Sequence, residues 1–197
     1  MGVKTRWKEL ERRVLSDDWA LLTSSRLRFT FADGTEDEQC REVYDRGDGA
    51  ALLPYDPKRG TVLLGRQFRW PAAYRGDADP FLIEAAAGLL DDAEPETRIR
   101  AEAEEELGLE LADVTFLFST YMSPGSISEQ LHFFAATYDA GTKRANVGGL
   151  RAEGEEIEVM ELALSDALAM IADGRIRDAK TVMLLQHAAL NLIPEAV

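Results

Sequence analysis

The segment 88–109 constrains the fold most, because it places a glycine-led loop directly before a helix rich in carboxylates. Pro95 suits the first helical turn and Gly108 suits the position just past the last one, so the pattern predicts a helix over 95–107. An apolar run, Phe81-Leu82-Ile83, approaches the loop. This order is typical of a functional site rather than of a solvated surface helix.

Three carboxylates are expected to share one face of this helix. At about 100° per residue, the side chains of Glu102, Glu105 and Glu106 fall within an arc of roughly 100°, whereas Glu104 points away. Like charges at this spacing weaken a helix by a few tenths of a kcal/mol per pair, and no Lys or Arg stands four residues further on. A divalent cation removes this repulsion. Oxygen ligands favour hard ions, so Mg²⁺ is expected, with Mn²⁺ as the alternative.

Composition excludes several classes of function. The 197 residues carry a formal net charge of −14, which repels nucleic acids and anionic membranes. A metal and a few local arginines are then needed to hold any anionic substrate. Cys40 is the only cysteine, so no intrachain disulfide forms, and the absence of an export signal or of about 18 successive apolar residues favours a cytoplasmic protein.

Two parts are expected along the chain. Residues 26–31 and 39–44 alternate polar and apolar side chains around the turn signal Asp33-Gly34, so 1–46 is expected to be a small antiparallel β-sheet domain. Two strands alone hold no core, so this hairpin either lies on the main domain or pairs with a second subunit. Residues 47–197 are expected to form an α+β domain, an α/β/α sandwich with a mixed sheet between helices. Its strands are predicted at 50–54, 61–69, 82–87, 115–122, 131–138 and 157–162, and its helices at 95–107, 165–173 and 180–192.

The segment 88–109 resembles the Nudix box, whose usual form is G-x5-E-x7-R-E-U-x-E-E-x-G-U with U aliphatic. The matching residues, in order, are Gly88, Glu94, Glu102, Glu105, Glu106, Gly108 and Leu109. The region between the first two glutamates is one residue short, and Ala101 stands where the box has an arginine. Arg98 or Arg100 is expected to supply that charge.

Further blocks resemble the bacterial GDP-mannose hydrolases of the Nudix superfamily, which share the shortened box. They are R-E-V-Y-D-R-G at 41–47, R-Q-F-R at 66–69, A-G-L-L-D at 87–91, Y-M-S-P-G at 121–125 with Glu129, and Arg177-Asp178 with Lys180-Thr181. ADP-ribose pyrophosphatases share the R-E-V block, the box and the S-P-G loop. The resemblance therefore implies the Nudix fold and two alternative substrates, GDP-mannose giving GMP and mannose 1-phosphate, or ADP-ribose giving AMP and ribose 5-phosphate.

The resemblance also implies roles for individual residues. Glu102 and Glu106 match the principal metal ligands, and the Ala87 carbonyl matches a backbone ligand. Glu105 is either a ligand of a second ion or an orienting group, and Glu155, or its neighbour Glu156, completes the set. Glu129 is expected to be the general base, because a glutamate outside the metal set keeps its basicity.

Substrate contacts are expected from both parts of the chain. Arg69 and Lys180 match phosphate-side residues, and strand alternation sends Arg66 to the face opposite Arg69. Glu42 offers a carboxylate to a purine edge, and Trp19 is either a stacking surface or an anchor for the hairpin. The complete expected set is Trp19, Arg41, Glu42, Arg69, Ala87, Gly88 and Lys180.

Three residues of types that often carry chemistry are not expected to do so here: the two histidines are expected to be structural and the cysteine inert. His132 and His187 lie in apolar segments without metal-type partners nearby in sequence, and Cys40 lies in a strand pattern. A Nudix-fold binding module without catalysis is the remaining alternative, which the retained glutamates disfavour. Relatives exchange their N-terminal segment between subunits, so a homodimer is expected.

Overall fold

A computed structural model of the chain describes residues 5–139, 141–142, 148–149 and 154–193. The chain divides into two compact units, the small unit (Met1–Asp48 with Tyr121–Gln130) and the main unit (Gly49–Thr120 with Leu131–Val197). Each unit is described below in turn.

The small unit contains a three-stranded antiparallel sheet, formed in sequence order by β1 (Trp7–Asp17), β2 (Leu21–Thr30) and β3 (Glu36–Asp45). The expectation of only two strands is wrong, because the charged stretch at 8–13 belongs to β1. This strand pairs only with β2, its register shifts twice, and most of its side chains are exposed. Charges and bulges are tolerated on such an edge strand, so it lacks a buried hydrophobic face that sequence could reveal.

The loop before Gln130 also belongs to the small unit. The Tyr44 amide donates to the Ser126 carbonyl at 2.8 Å, and the Ser128 amide donates to the Tyr44 carbonyl at 3.3 Å. These bonds form a short parallel bridge between Tyr44 and Ile127. The loop therefore extends the edge of the sheet next to β3.

The main unit is built on a seven-stranded sheet, with the order β10-β5-β4-β9-β8 and with β6 paired to β5 and β7 to β4. β4 and β9 are parallel, whereas β5 and β7 run antiparallel to β4, so the sheet is mixed as predicted. The single strand expected at 82–87 is two strands that separate at Ala85. The strands are β4 (Gly49–Asp56), β5 (Thr61–Phe68), β6 (Phe81–Glu84), β7 (Ala86–Leu89), β8 (Thr115–Tyr121), β9 (Gln130–Thr137) and β10 (Glu158–Ala163).

The described residues form four α-helices beside this sheet: α1 (Trp70–Tyr74), α2 (Pro95–Leu107), α3 (Leu164–Ala172) and α4 (Ala179–His187), which continues as a π-helical turn, Ala188–Leu192. The short α1 was not predicted. None of the described helices is both long and apolar enough to cross a bilayer.

The helix α2 has the bounds that its sequence predicts. Gly108 ends it with φ 69°, a left-handed conformation that glycine adopts without strain. Ile99 and Ala103 on α2 are fully buried, in a cluster with residues of β4 and β9. This packing fixes the rotation of α2 and turns Glu102 and Glu106 towards the interior.

Candidate active site

Two of the three clustered glutamates are buried on α2. The exposed fractions of Glu102 and Glu106 are 5% and 3%, whereas Glu104 is exposed as predicted. Glu105 is half-buried, and its backbone carbonyl accepts a hydrogen bond from the Gly149 amide at 3.1 Å. The inward face is therefore a pair of carboxylates at i and i+4 with Glu105 at its margin.

The electrostatic environment of Glu106 disfavours its charged form. Burial and the nearby carboxylates of Glu102 and Glu155 raise the pKa of Glu106 to about 8, although the Ala87 amide and Arg69 act in the opposite direction. The Ala87 amide donates to Oε2 of Glu106 at 3.2 Å. This contact joins α2 to β7 at the residue whose carbonyl was predicted to be a metal ligand.

Glu102 is paired with an arginine from its own helix. The Arg98 guanidinium lies 2.5 Å from Oε1 of Glu102, one turn away. Arg100 instead pairs with Glu96 at 2.8 Å and donates to the carbonyls that follow α2. Of the two arginines expected to replace the one missing from the box, Arg98 is therefore the one that contacts the carboxylate cluster.

Gly88 on β7 packs directly against the Glu102 carboxylate. A Cβ placed at Gly88 would lie 1.8 Å from Oε1 of Glu102, which is far inside van der Waals contact. Glycine at position 88 therefore leaves the space that the Glu102 carboxylate occupies, where β7 approaches α2. This observation gives the first glycine of the box a steric role within the site.

The donor set suits a hard divalent cation. Glu155 is half-buried, and its charge raises the pKa of Glu106, whereas Glu156 is exposed. This difference favours Glu155 as the additional carboxylate. Among the described residues no three acidic, histidine or cysteine side chains already stand together as a metal site. The residues nevertheless fit such an ion, because buried carboxylates that repel one another are stabilised by a cation.

A second cluster, which we call the Glu84 clamp, consists of Glu84, Arg69 and Lys180. Arg69 donates to both oxygens of Glu84 at 2.8 and 3.0 Å, and Lys180 donates to Oε2. Glu84 is only 3% exposed. Burial alone would raise the pKa of Glu84, but Lys180 and Arg69 outweigh burial and hold it below its ordinary value.

The comparisons with known proteins agree on one family. A family model described as the GDP-mannose pyrophosphatase NudK N-terminal domain matches residues 6–44. A GDP-mannose pyrophosphatase of Pectobacterium atrosepticum is 50% identical over 182 residues, which cover 92% of this chain and 93% of that protein. A protein of the same name from Yersinia pestis is 46% identical over 197 residues, which cover 100% and 98% of the two chains. This chain belongs to the GDP-mannose pyrophosphatase family.

A solved structure described as an ADP compounds hydrolase shares the fold of this family member. The TM-score is 0.75 at 17% sequence identity, and the match covers 99% of this chain and 98% of the other. The expected Nudix fold, a mixed sheet with helices and a small N-terminal antiparallel sheet, is confirmed.

In this member of the GDP-mannose pyrophosphatase family, Glu129 lies in the small unit and is 5% exposed. Arg46 donates to Oε1 of Glu129 at 2.5 Å. The adjoining Gln130 amide donates to Asp48 at 2.8 Å. The predicted general base is thus a buried carboxylate held by an arginine that sequence reasoning did not single out.

The predicted nucleotide contacts in the small unit lie on two different faces of its sheet. Arg41 and Glu42 are consecutive in β3, whose register with β2 is regular, so their side chains project from opposite faces. Glu42 shares its face with Tyr44, and the Trp19 ring lies 6.4 Å from the Tyr44 ring. Arg41 lies on the face opposite Glu42, where it donates to Gln39 at 2.7 Å.

The two histidines that were expected to be structural contact neighbouring side chains. Nδ1 of His132 lies 2.8 Å from Oγ of Ser119 on the adjacent strand. His187 packs against the Phe118 ring at 5.6 Å. Cys40 is an exposed free cysteine in β3.

Sequence reasoning missed Glu84 as a site residue. Its one sequence signal is its position, an acidic residue that ends an apolar strand three residues before Ala87. The clamp itself carries no local signal, because Lys180 is 96 residues away from Glu84.

Proposed function

We propose that this chain hydrolyses GDP-mannose to GMP and mannose 1-phosphate with Mg²⁺ as its metal, Mn²⁺ being the alternative. The observation that carries this proposal is the identity of 46–50% over nearly the whole chain with proteins named GDP-mannose pyrophosphatase. The buried pair Glu102 and Glu106 supports it, since it supplies the oxygen ligands that the reaction needs.

In the proposed mechanism, Glu102, Glu106, Glu155 and the Ala87 carbonyl would hold the metal, with Glu105 at the margin as a further ligand or an orienting group. A bound divalent cation would supply charge neutralisation for the diphosphate and activation of water. Gly88 admits the Glu102 carboxylate to the site because it has no side chain.

Arg69 and Lys180 are proposed to bind the diphosphate. Glu84 accepts hydrogen bonds from both cations and thereby orients them in the absence of substrate. Arg69 has donors beyond the two that Glu84 accepts, and Lys180, which also pairs with Asp178 at 3.1 Å, has a third proton. These remaining donors are proposed to bind phosphate oxygens. The clamp thereby supplies two oriented positive charges in a chain whose net charge is −14.

Glu129 is proposed to be the general base. Arg46 donates to Oε1 of Glu129, and we propose that the other oxygen, Oε2, takes the proton of the attacking water. The water oxygen then bonds to phosphorus while the bridging P–O bond breaks, which releases the two phosphate monoesters.

The nucleobase is proposed to bind the face of the small sheet that carries Trp19, Glu42 and Tyr44, with the carboxylate of Glu42 accepting from a purine edge. Arg41, which was predicted to bind substrate, projects from the opposite face of β3. We further propose that the chain forms a homodimer in which the two subunits exchange the small unit. We also propose that the protein is cytoplasmic. Light scattering at micromolar concentration tests the dimer, and a monomer would refute it.

A substrate panel with product identification tests the function. GDP-mannose and ADP-ribose are supplied separately to the purified full chain with Mg²⁺, and products are separated by ion-exchange chromatography. GMP with mannose 1-phosphate is expected at a higher kcat/KM than AMP with ribose 5-phosphate. The reverse ranking would assign the chain to ADP-ribose.

A matched pair of variants tests the proposed metal site. Glu106→Gln is expected to lower kcat by at least about 100-fold, because it removes a proposed ligand. The control, Glu104→Gln, changes an exposed glutamate on the same helix and should retain the parent rate. Parent turnover by Glu106→Gln with Mg²⁺ present would eliminate the proposed site.

A further inference from the structure

The chain crosses from one part of the sheet to another at Ala85. The strand before it, β6, pairs with β5, and the strand after it, β7, pairs with β4. Ala85 is 2% exposed, and its amide donates to Oγ1 of Thr181 at 2.8 Å. A buried amide that loses its partner costs about 1–3 kcal/mol, so this one side chain stabilises the crossing.

The Thr181 hydroxyl is itself oriented by Asp178. Thr181 is fully buried, and its Oγ1 donates to Oδ2 of Asp178 at 2.6 Å. The Thr181 amide donates to the same oxygen at 3.0 Å, as an N-cap contact of α4. A hydroxyl has one proton, so donation to Asp178 leaves its lone pairs for Ala85. The direction of both hydrogen bonds is therefore fixed.

The crossing at Ala85 lies between the Glu84 clamp and the backbone that contacts the acidic pair, Glu102 and Glu106. Glu84, just before Ala85, holds Arg69 and Lys180. Ala87, two residues after it, donates to Glu106. A displacement of Ala85 would therefore shift both the Glu84 clamp and the backbone that contacts the acidic pair.

We propose that Thr181 is a positioning residue for hydrolysis, whose hydroxyl sets the position of the 84–88 backbone and thereby the geometry of the metal ligands. This inference rests on the proposed function. Thr181 touches neither substrate nor metal and acts through Ala85. The role belongs to its hydroxyl and not to its bulk.

Two substitutions separate the hydroxyl from the bulk. Thr181→Val keeps the shape of the side chain and removes the hydroxyl, whereas Thr181→Ser keeps the hydroxyl. Thr181→Val is expected to weaken Mn²⁺ binding by about tenfold in calorimetry and to lower kcat similarly, with KM changed less. Thr181→Ser should stay within about threefold of the parent in both measurements.

Hydrogen–deuterium exchange gives a readout that does not depend on activity. Peptides covering 82–90 should exchange faster in Thr181→Val than in Thr181→Ser or the parent. A control for general destabilisation is Ile176→Val, which shortens a side chain that is 1% exposed. This control should lower the melting temperature while leaving Mn²⁺ affinity and the exchange of 82–90 at parent values.

Three results would overturn the role of Thr181: parent-like Mn²⁺ affinity in Thr181→Val, equal losses in the Val and Ser variants, or an equal loss in Ile176→Val. If Thr181→Val does not fold, Thr181→Ala replaces it and is compared with Thr181→Ser and Ile176→Val in the same measurements. A parent protein that binds Mn²⁺ but leaves GDP-mannose intact refutes the proposed substrate and leaves the role of Thr181 to be decided by binding and exchange.

Discussion

Arg98 lies 2.5 Å from Glu102, one helical turn away on α2, and provides the cation that the chain lacks at position 101. The contact is partly buried, with side-chain exposures of 26% for Arg98 and 7% for Glu102. It places a positive charge beside Glu102, one of the two carboxylates that, together with burial, raise the pKa of Glu106.

Arg98→Met should destabilise the metal-free protein. The change leaves a buried carboxylate pair without its intrahelical cation, which we expect to cost about 1 kcal/mol. The melting temperature should fall by about 2–4 °C in calorimetry with EDTA. Arg98→Lys keeps the charge and should recover most of the loss. An unchanged melting temperature in Arg98→Met would show that the ion pair contributes nothing to stability.

Gly88→Ala should impair the site and spare the fold. The added Cβ would overlap the end of the Glu102 side chain, which can rotate away, so the backbone need not move. We expect kcat/KM with Mg²⁺ to fall by about 10–100-fold while the circular dichroism spectrum is retained. Parent-like kcat/KM would mean that the close approach of Gly88 to Glu102 has no bearing on the reaction.

Glu84 should give the protein an acid-sensitive component of stability. Its pKa in the folded protein lies below the ordinary 4.5, so its ionised form stabilises the fold above that pH. This contribution is lost as the pH falls through the lowered pKa. Glu84→Gln should cost about 2 kcal/mol at neutral pH, because charged hydrogen bonds to Arg69 and Lys180 are lost.

Urea unfolding of the parent and Glu84→Gln at a series of pH values from 7 to 3 measures this difference. The gap between the two proteins should be widest at neutral pH and should narrow below pH 4.5. A gap that is constant across the series would contradict a charge-dependent role for Glu84.

Neighbouring residues on β3 should differ in their effect on substrate binding. Glu42→Gln is expected to raise the KM for GDP-mannose by about tenfold, because an amide cannot accept two purine donors as a carboxylate does. Arg41→Gln, on the opposite face of the strand, should change KM less than twofold. Steady-state kinetics of the two variants measure these KM values. Equal changes in KM would contradict binding of the nucleobase by one face of this sheet.

Local sequence signals predicted the helix α2 but did not predict the edge strand β1. Pro95 and Gly108 set the bounds of α2 through backbone preferences that act within a few residues, and buried positions such as Ile99 fixed its inward face. The strand β1 escaped prediction because it is a charged edge strand with few buried side chains. Its partner β2 follows after only three residues, so the missing signal was hydrophobic patterning and not distance along the chain.

The candidate site shows the same division. Glu102 and Glu106 could be predicted because helical periodicity places them together. The break at Ala85 could not, because the apolar and small residues on either side of it suit one strand as well as two. Its cause is a hydrogen bond to Thr181, 96 residues away in the chain.

The small unit is not a contiguous piece of the chain, since Tyr44 exchanges hydrogen bonds with Ser126 and Ser128. During synthesis this edge of the N-terminal sheet therefore stays unpaired until the first segment of the main unit, Gly49–Thr120, has left the ribosome. A gene fragment that stops at Asp48 would encode three strands without the loop that completes them. Excision or transplantation of this unit thus calls for a circularly permuted or two-piece design.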